Sequence, residues 1–340
     1  MGTIPNENTS GDIVMNIHEL NYVICIAKHQ NITKAAQELF ISQPTLSKHL
    51  KKMERDLGLK LFNRIDSCYI PTYAGRRYME YASKVLALTQ DWEKELGDLL
   101  SLKDGELTVA FPLMRSSCML PFILPAFHRL HPHVKVHFLE ETHAIQERLL
   151  EDSQIDFAVF SEETIHPKLD SEKLGREEIL LVVSQKHPMA EGLPDFQEAR
   201  GSYPAVDWDM LKGGTFILNS PEQNTGAVTA RLLKEHYVNP SVSFYTRNTQ
   251  AALLLVQHNE GFCFAPETYV RSTAFDLPPV CFTLGDRRAF TSTVAAYRKG
   301  AYLPVYARDF IRSAREYFAT FTKGGRHLHG HRPETDYKQP

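Results

Sequence analysis

The stretch from Ile32 to Arg64, "ITKAAQELFISQPTLSKHLKKMERDLGLKLFNR", decides how the N-terminal part of the chain folds. The small pair Ala35 and Ala36 sits in one amphipathic turn. A short apolar break follows, then Ser-Gln-Pro, then a basic amphipathic run that stops at Gly58. Thr33 is placed to cap a helix over residues 34–40, and Ser42 to cap the next one. Pro44 falls in the first turn of that second helix, where its missing N–H costs nothing. Leu46, Leu50, Met53 and Leu57 recur at helical spacing and point inward, which leaves Thr45, Ser47, Lys48, Lys51 and Lys52 facing out. Gly58 ends the run as a left-handed stop.

Outward from this stretch, "NIHELNYVICIAKH" before it reads as a helix with Leu20, Val23, Ile24 and Ala27 on one face. "LKLFNRIDSCYIPTYAG" after it reads as two short strands around an Asp-Ser turn, a wing. From Tyr73 a long run without proline carries Tyr78, Tyr81, Val85, Leu88, Trp92, Leu96, Leu99 and Leu102, mostly three or four apart. So narrow a stripe on so long a helix fits a dimer seam.

The grammar changes after "KDG" at 103–105. Strand-like and helix-like segments alternate from "ELTVAF" to a closing helix over 304–322, which predicts an α/β fold with parallel sheets. The 340 residues suit two or three domains, and an apolar fraction of 43% supports sizeable cores. Formal net charge is only −3, so the basic patch between Lys48 and Arg64 is local, and it implies a polyanionic partner for that patch alone. Five scattered cysteines without CxxC spacing argue against a disulfide scaffold and a zinc module. Residues 1–15 read as a polar flexible leader without a signal peptide, and residues 323–340 as a disordered tail. No apolar run approaches the roughly 20 residues of a membrane span. These features together predict a cytoplasmic protein. No GxSxG, Walker A, HExxH or GxGxxG motif is present, so no enzyme class is indicated, and no cofactor is expected.

Two helices joined by a tight turn, the second basic on its outer face, follow the helix-turn-helix plan, in which the second helix enters a DNA major groove. A three-helix domain whose basic face is merely solvated fits the composition as well, and so does a solute-binding α/β protein with a helical appendage. Salt-dependent, sequence-selective DNA binding separates these readings.

The segment Asn31–Arg64, with "PTYAG" at 71–75, closely resembles the DNA-binding domain of LysR-type transcriptional regulators. Ala35, Ala36, Leu39, Ser42, Gln43, Pro44 and Leu46 fall in register with that family's pattern, as do Ser47, Leu57, Gly58, Leu61, Phe62 and Arg64. Met53 and Pro71 stand where the pattern usually has leucine. The resemblance covers about residues 15–322. It implies an α/β protein with an all-α N-terminal domain: a winged helix-turn-helix (16–72), a long linker and dimerisation helix (73–102), and an effector domain like a type-2 periplasmic binding protein (106–322). In that domain lobe I spans about 106–182 and 288–322, and lobe II about 183–287. The implied partners are double-stranded promoter DNA, a small effector between the lobes, RNA polymerase for an activator, and further copies of the chain as a homodimer or homotetramer. The resemblance implies modulation of DNA bending and activation by that effector, with an anion as the expected class.

The candidate DNA-facing residues are Thr33 and Lys34 on the first helix, Gln43, Pro44, Thr45, Ser47, Lys48 and Lys51 on the second, and Arg64 in the wing. Candidate effector contacts follow strand ends, where ligands of open α/β sheets bind. After the first α/β strand come Met114, Arg115 and Ser116. The next strand ends lead to Thr142 and His143, then Ser161, then Gln223, Asn224 and Thr225, then Asn248. Met114 stands where the family often has Ser or Thr. Thr142 and Thr225 equally suit helix capping, and Arg115 a surface salt bridge. The cluster His128, His131, His133 and His137 raises metal binding, but Pro132 separates helix from strand; His327, His329 and His331 fall in the tail. No metal is expected at either place, and Cys118, Cys263 and Cys281 read as buried structural thiols.

Overall fold

The computed structural model describes residues 16–100, 103–162, 165–286 and 289–322. The expected leader and tail, Leu102 of the apolar stripe, and the tail histidines lie outside these residues. The chain divides after Leu99 into two compact units.

In the first unit three helices pack together: α1 (Ile17–His29), α2 (Ile32–Glu38) and α3 (Gln43–Asp56). Asn16 caps α1 through His18 N–H. The buried face of α1 is Leu20, Val23, Cys25 and Ile26; Ile24 and Ala27 are only half-buried, so the expected face is rotated. Thr33 does not cap α2. Asn31 does, its side-chain oxygen accepting from the N–H groups of Thr33 and Lys34 at 2.9 and 3.1 Å, and the helix therefore starts two residues earlier than expected. Phe40, in the turn, holds φ at +54°. Ser42 caps α3 as expected, accepting from Thr45 N–H. Leu46, Leu50 and Met53 are buried, and Gly58 takes φ +65°.

The wing is β1 (Phe62–Ile65) paired antiparallel with β2 (Cys68–Pro71), and Asp66 and Ser67 both hold positive φ in the two-residue turn. Buried Glu54 fixes the wing to α3. Its carboxylate accepts from Leu61 N–H and Phe62 N–H at 2.9 and 3.2 Å, and from Lys60 Nζ at 2.6 Å. The 27-residue helix α4 (Tyr73–Leu99) follows. Thr72 accepts from Gly75 N–H, and Gly75 lies so close to the Leu61 carbonyl that a Cβ there would stand 2.0 Å from the oxygen. That close approach accounts for glycine in "PTYAG". Along α4, Tyr81, Leu88, Trp92, Leu96 and Leu99 are exposed, Leu88 by 64%.

The second unit is α/β, but its main sheet is mixed rather than parallel. The strands are β3 (Gly105–Phe111), β4 (Val134–Glu140), β5 (Phe157–Ser161), β6 (Leu169–Val183), β9 (Cys263–Pro266), β10 (Val280–Phe282) and β11 (Phe290–Arg298). β3 runs parallel to β4 and β5, while β11 is antiparallel to β5 and β6. β6 is the long member. Its first part pairs with β11, and Ile179–Val183 pairs with β9 and β10. It thus runs from one sheet region into the other. Beyond β9, β7 (Thr215–Asn219) pairs parallel with β8 (Ser241–Thr246), and a bridge from Phe216 to Phe262 joins them on. Two cores result. One gathers Phe111, Phe127, Phe157 and Phe310, the other Phe216, Phe264, Leu232 and Leu181.

The helices are α5 (Leu113–Leu130), α6 (His143–Glu151), α7 (Phe196–Ala199), α8 (Asn224–Glu235), α9 (Thr249–Val256), α10 (Glu267–Ser272) and α11 (Val305–Thr322). α5 begins six residues before the expected "MLPFILP", directly after Pro112. Gly175 of β6 admits α11: a Cβ there would meet the Phe318 ring at 2.3 Å.

Candidate functional site

In the first unit, the inner face of α3 is spent on the core, so its outer face is a consequence of the fold. Gln43, Pro44, Thr45, Lys48, Lys51 and Lys52 are exposed there, with Ser47 half-buried. Thr45 shares a 2.7 Å hydroxyl contact with Ser42. Arg64 is exposed on β1, and Thr33 and Lys34 are exposed at the start of α2. The charges divide into two groups. Lys28 and Lys60 are held by Glu38 and Glu54. Among the described residues, Lys48, Lys51, Lys52 and Arg64 have no acidic partner, and Gln43 no side-chain bond. A face of uncommitted cations and an amide on a 14-residue helix, about 21 Å long, suits a groove about 12 Å wide.

In the second unit, two of the candidate contacts, Ser161 and Asn224, bond to one another at strand ends. Asn224, the first residue of α8, donates through Nδ2 toward Ser161 Oγ at 3.0 Å and Thr291 Oγ1 at 2.9 Å. Ser161 ends β5 and Thr291 lies on β11, so Asn224 ties the two sheet regions. The ring of His143 stands edge-on to Phe160 at 4.6 Å, one residue from Ser161, and its buried Nε2 has no hydrogen-bond partner. Gln223 donates to the Arg247 carbonyl, while its buried Oε1 is likewise unpartnered. Gln146 is the same, with Nε2 on the Glu141 carbonyl and Oε1 unpaired. The Ser116 hydroxyl lies 2.7 Å from the Leu113 carbonyl and 2.5 Å from Glu140 Oε1, which turns it away from a free role. The starts of α5, α6 and α8, at Pro112, Thr142 and Gln223, have no side-chain cap bond, so their first N–H groups are uncommitted to caps. Such helix ends suit an anion.

Other candidates fall elsewhere. Because α5 starts early, Arg115 lies in its first turn and points into the core. It is 6% exposed and binds Glu177 Oε1 at 2.6 Å and Thr268 Oγ1 at 3.0 Å. Its salt bridge is buried, not at the surface as expected. Burial disfavours its charge, but the Glu177 carboxylate outweighs this and holds its pKa above the ordinary arginine value. Met114 is half-buried against the first core. Asn248 caps α9 through Ala251 N–H. Thr142 is exposed and makes no cap bond, and Thr225 is half-buried in the first turn of α8 without capping it. Thr291 was not anticipated. The signal was present: Thr291 and Thr293 alternate as buried polar positions in "FTSTVAAYR". Glu177 and Thr268 left no such mark.

The four histidines around Pro132 do not gather. His131 binds Asp309 at 2.7 Å and His137 faces Glu106 at 3.8 Å. Cys25, Cys118, Cys263 and Cys281 are buried, and burial raises each thiol above its ordinary range. Cys263 and Cys281 flank Val182 of β6 on opposite sides. Two strand spacings, about 9.6 Å, separate them, too far for a disulfide.

Residues 101–319 match the family model for the LysR substrate binding domain, and residues 17–76 match that for the bacterial regulatory helix-turn-helix protein of the lysR family. An uncharacterized HTH-type transcriptional regulator of Bacillus subtilis, YcgK, is 28% identical over 319 residues, covering 91% of this chain and 97% of its own. The regulator CfxR of Cupriavidus necator is 27% identical, over 67% of this chain and 68% of its own. Among solved structures, a full-length OxyR variant from Pseudomonas aeruginosa superposes with a TM-score of 0.68 at 19% identity, covering 89% of this chain and 95% of that one. Full-length CbnR in complex with its target DNA gives 0.55 at 21% identity, covering 89% and 100%.

Proposed function

Since the chain belongs to the LysR family of transcriptional regulators, with a DNA-binding domain and an effector-binding domain, we propose a role for each exposed group that the folding of α3 leaves over. The observation that carries this reading is the outer face of α3, whose Lys48, Lys51, Lys52 and Gln43 have no side-chain partner among the described residues. Gln43 reads an adenine edge through its amide. Lys48 and Lys51 neutralise phosphates. Thr45 and Ser47 add short-range contacts, and Arg64 holds the backbone from the wing. Thr33, Lys34 and Pro44 line the approach.

The apolar stripe of α4 pairs two copies of the chain. Tyr81, Val85, Leu88, Trp92, Leu96 and Leu99 step by four and three, the spacing of a coiled-coil seam. Two such dimers make a tetramer. The paired DNA-binding domains then occupy half-sites about 34–36 Å apart. RNA polymerase is a partner where the promoter response is activation.

The effector binds where Ser161, Asn224 and Thr291 meet. We assign it to small anions, because three helix starts near these strand ends lack side-chain caps. Gln223 adds a carbonyl oxygen without a hydrogen-bond partner, and His143 a ring nitrogen that faces Glu147 Oε1 at 3.7 Å. Arg115 is not part of this site. A ligand changes the regulator only through unequal affinity for its states, and the Asn224 bonds supply one closed state to favour or break.

Selection of DNA from a random pool by the full-length chain, followed by footprinting, tests the reading. A two-fold site with half-sites one helical turn apart is expected. Retention of DNA without sequence preference, at any salt, contradicts it.

A further inference from the structure

Among the described residues, one group of three metal-capable side chains brings its ligand atoms within 4.8 Å of one another: Cys25 and His29 of α1 and Glu38 of α2. Cys25 and His29 are four apart on one helix face, and Glu38 is the last residue of α2. His29 Nε2 lies 2.5 Å from Glu38 Oε2, and the Cys25 thiol lies 3.6 Å from the Ala35 carbonyl on the same helix as Glu38. We propose that these three side chains form a metal site for a borderline divalent cation, Zn2+, that clamps α1 to α2.

The donor set decides the class of ion. A thiolate, an imidazole and a carboxylate suit Zn2+ and not Mg2+ or Ca2+, which take oxygen ligands. Around Zn2+ the ligand atoms stand about 3.3–3.6 Å apart, from bond lengths of about 2.0–2.3 Å. The His29–Glu38 pair therefore opens by a little under 1 Å, and the thiol closes. Cys25 is buried while the His29 and Glu38 side chains are 25% and 43% exposed, so water completes the fourth position from the solvent side.

Lys28 is the competitor. Its ammonium lies 2.8 and 3.0 Å from the two Glu38 oxygens and supplies the positive charge that the ion replaces. Burial, then the charge of Glu38, pushes the Cys25 thiol up to about 11, so it enters as a thiol and releases one proton on binding. The missing CxxC pattern speaks against zinc ribbons and fingers, not against a set drawn from two helices.

The test uses the full-length chain, stripped with chelator and kept reduced, titrated with Co2+ and then Zn2+. One Co2+ per chain is expected, with a thiolate-to-cobalt charge-transfer band that Zn2+ bleaches. His29→Gln and Glu38→Gln, both at the surface, should each weaken Zn2+ binding more than about 100-fold, beyond the 10–100-fold cost of losing a supporting contact. Lys28→Gln should tighten it. Alanines at His327, His329 and His331 should leave the band unchanged. The proposal is overturned by absence of the thiolate band at saturating Co2+, or by a band whose affinity survives both His29→Gln and Glu38→Gln. Cys25→Ser removes the band if it folds; the two surface variants decide the matter if it does not.

Discussion

Replacing Arg115 with methionine separates a structural role from a ligand-binding one. The guanidinium is 6% exposed and lies over the Tyr269 and Phe318 rings at 4.7 and 5.5 Å. Arg115→Met keeps most of that packing, because methionine fits between aromatic faces. It removes the 2.6 Å bond to Glu177 and the 3.0 Å bond to Thr268. Glu177 retains the Thr268 N–H and hydroxyl at 2.9 and 2.6 Å, but its charge is left buried without a counter-charge. Breaking a buried pair from one side costs about 3–5 kcal/mol. Urea denaturation of the full chain reads this, with Trp92→Phe leaving Trp208 as the sole tryptophan of the two and a reporter for the second unit. Arg115→Met/Glu177→Met should recover more than half of the loss, since the stranded charge is gone. A single variant within about 1 kcal/mol of the parent, or a double variant no better than the single, refutes the buried-pair account. A stable single variant that lost its ligand response would return Arg115 to the cleft.

Three further outcomes follow from the same geometry. Asn224→Ala deletes the bonds to Ser161 and Thr291 and should cost the closed arrangement about 1–2 kcal/mol, read as faster amide exchange at the end of β5 and in β11; unchanged protection there counts against the tie. Burial pushes the Tyr269 hydroxyl up to about 12, above its unfolded value near 10, so it contributes stability that is present below pH 10 and lost as pH rises through 12. Tyr269→Phe should remove about 2–3 kcal/mol of that alkaline loss, and equal pH profiles for parent and variant would exclude the effect. Leu88→Glu with Leu99→Glu should leave monomers in analytical ultracentrifugation while the DNA-binding unit keeps its fold; an unchanged mass rules out the α4 seam.

The N-terminal unit was legible because its signals are local. Ser42, Pro44 and Gly58 mark helix ends, and the stripe Leu46, Leu50 and Met53 marks the buried face. Where a stronger local signal competed, the reading slipped: Asn31 outcompetes Thr33 as the cap because its carbonyl reaches two N–H groups. In the second unit the buried strands announced themselves as apolar runs, but β6 was half hidden. Leu169–Glu178 is mostly charged and polar, with Leu169 and Leu174 as its only large apolar side chains, and only its pairing with β11 reveals a strand. The antiparallel strands broke the expected parallel sheet for the same reason, since chain order does not encode direction in a crossover. Arg115 was misplaced through a helix boundary: Pro112 starts α5 early and turns that side chain inward. Strand ends place Ser161 and Asn224 near one another, whereas Thr291 enters from a strand distant in sequence.

The most direct test of the central claim is the salt dependence and base preference of DNA binding by Lys48→Ala and Gln43→Ala on the selected site. If the outer face of α3 reads DNA, Lys48→Ala weakens binding evenly across sequences and lowers the salt slope by about 1, while Gln43→Ala costs about 1–3 kcal/mol and relaxes the preference at one base position. Both variants binding as the parent does, with the same slope and the same preferences, would show that α3 is not the reader.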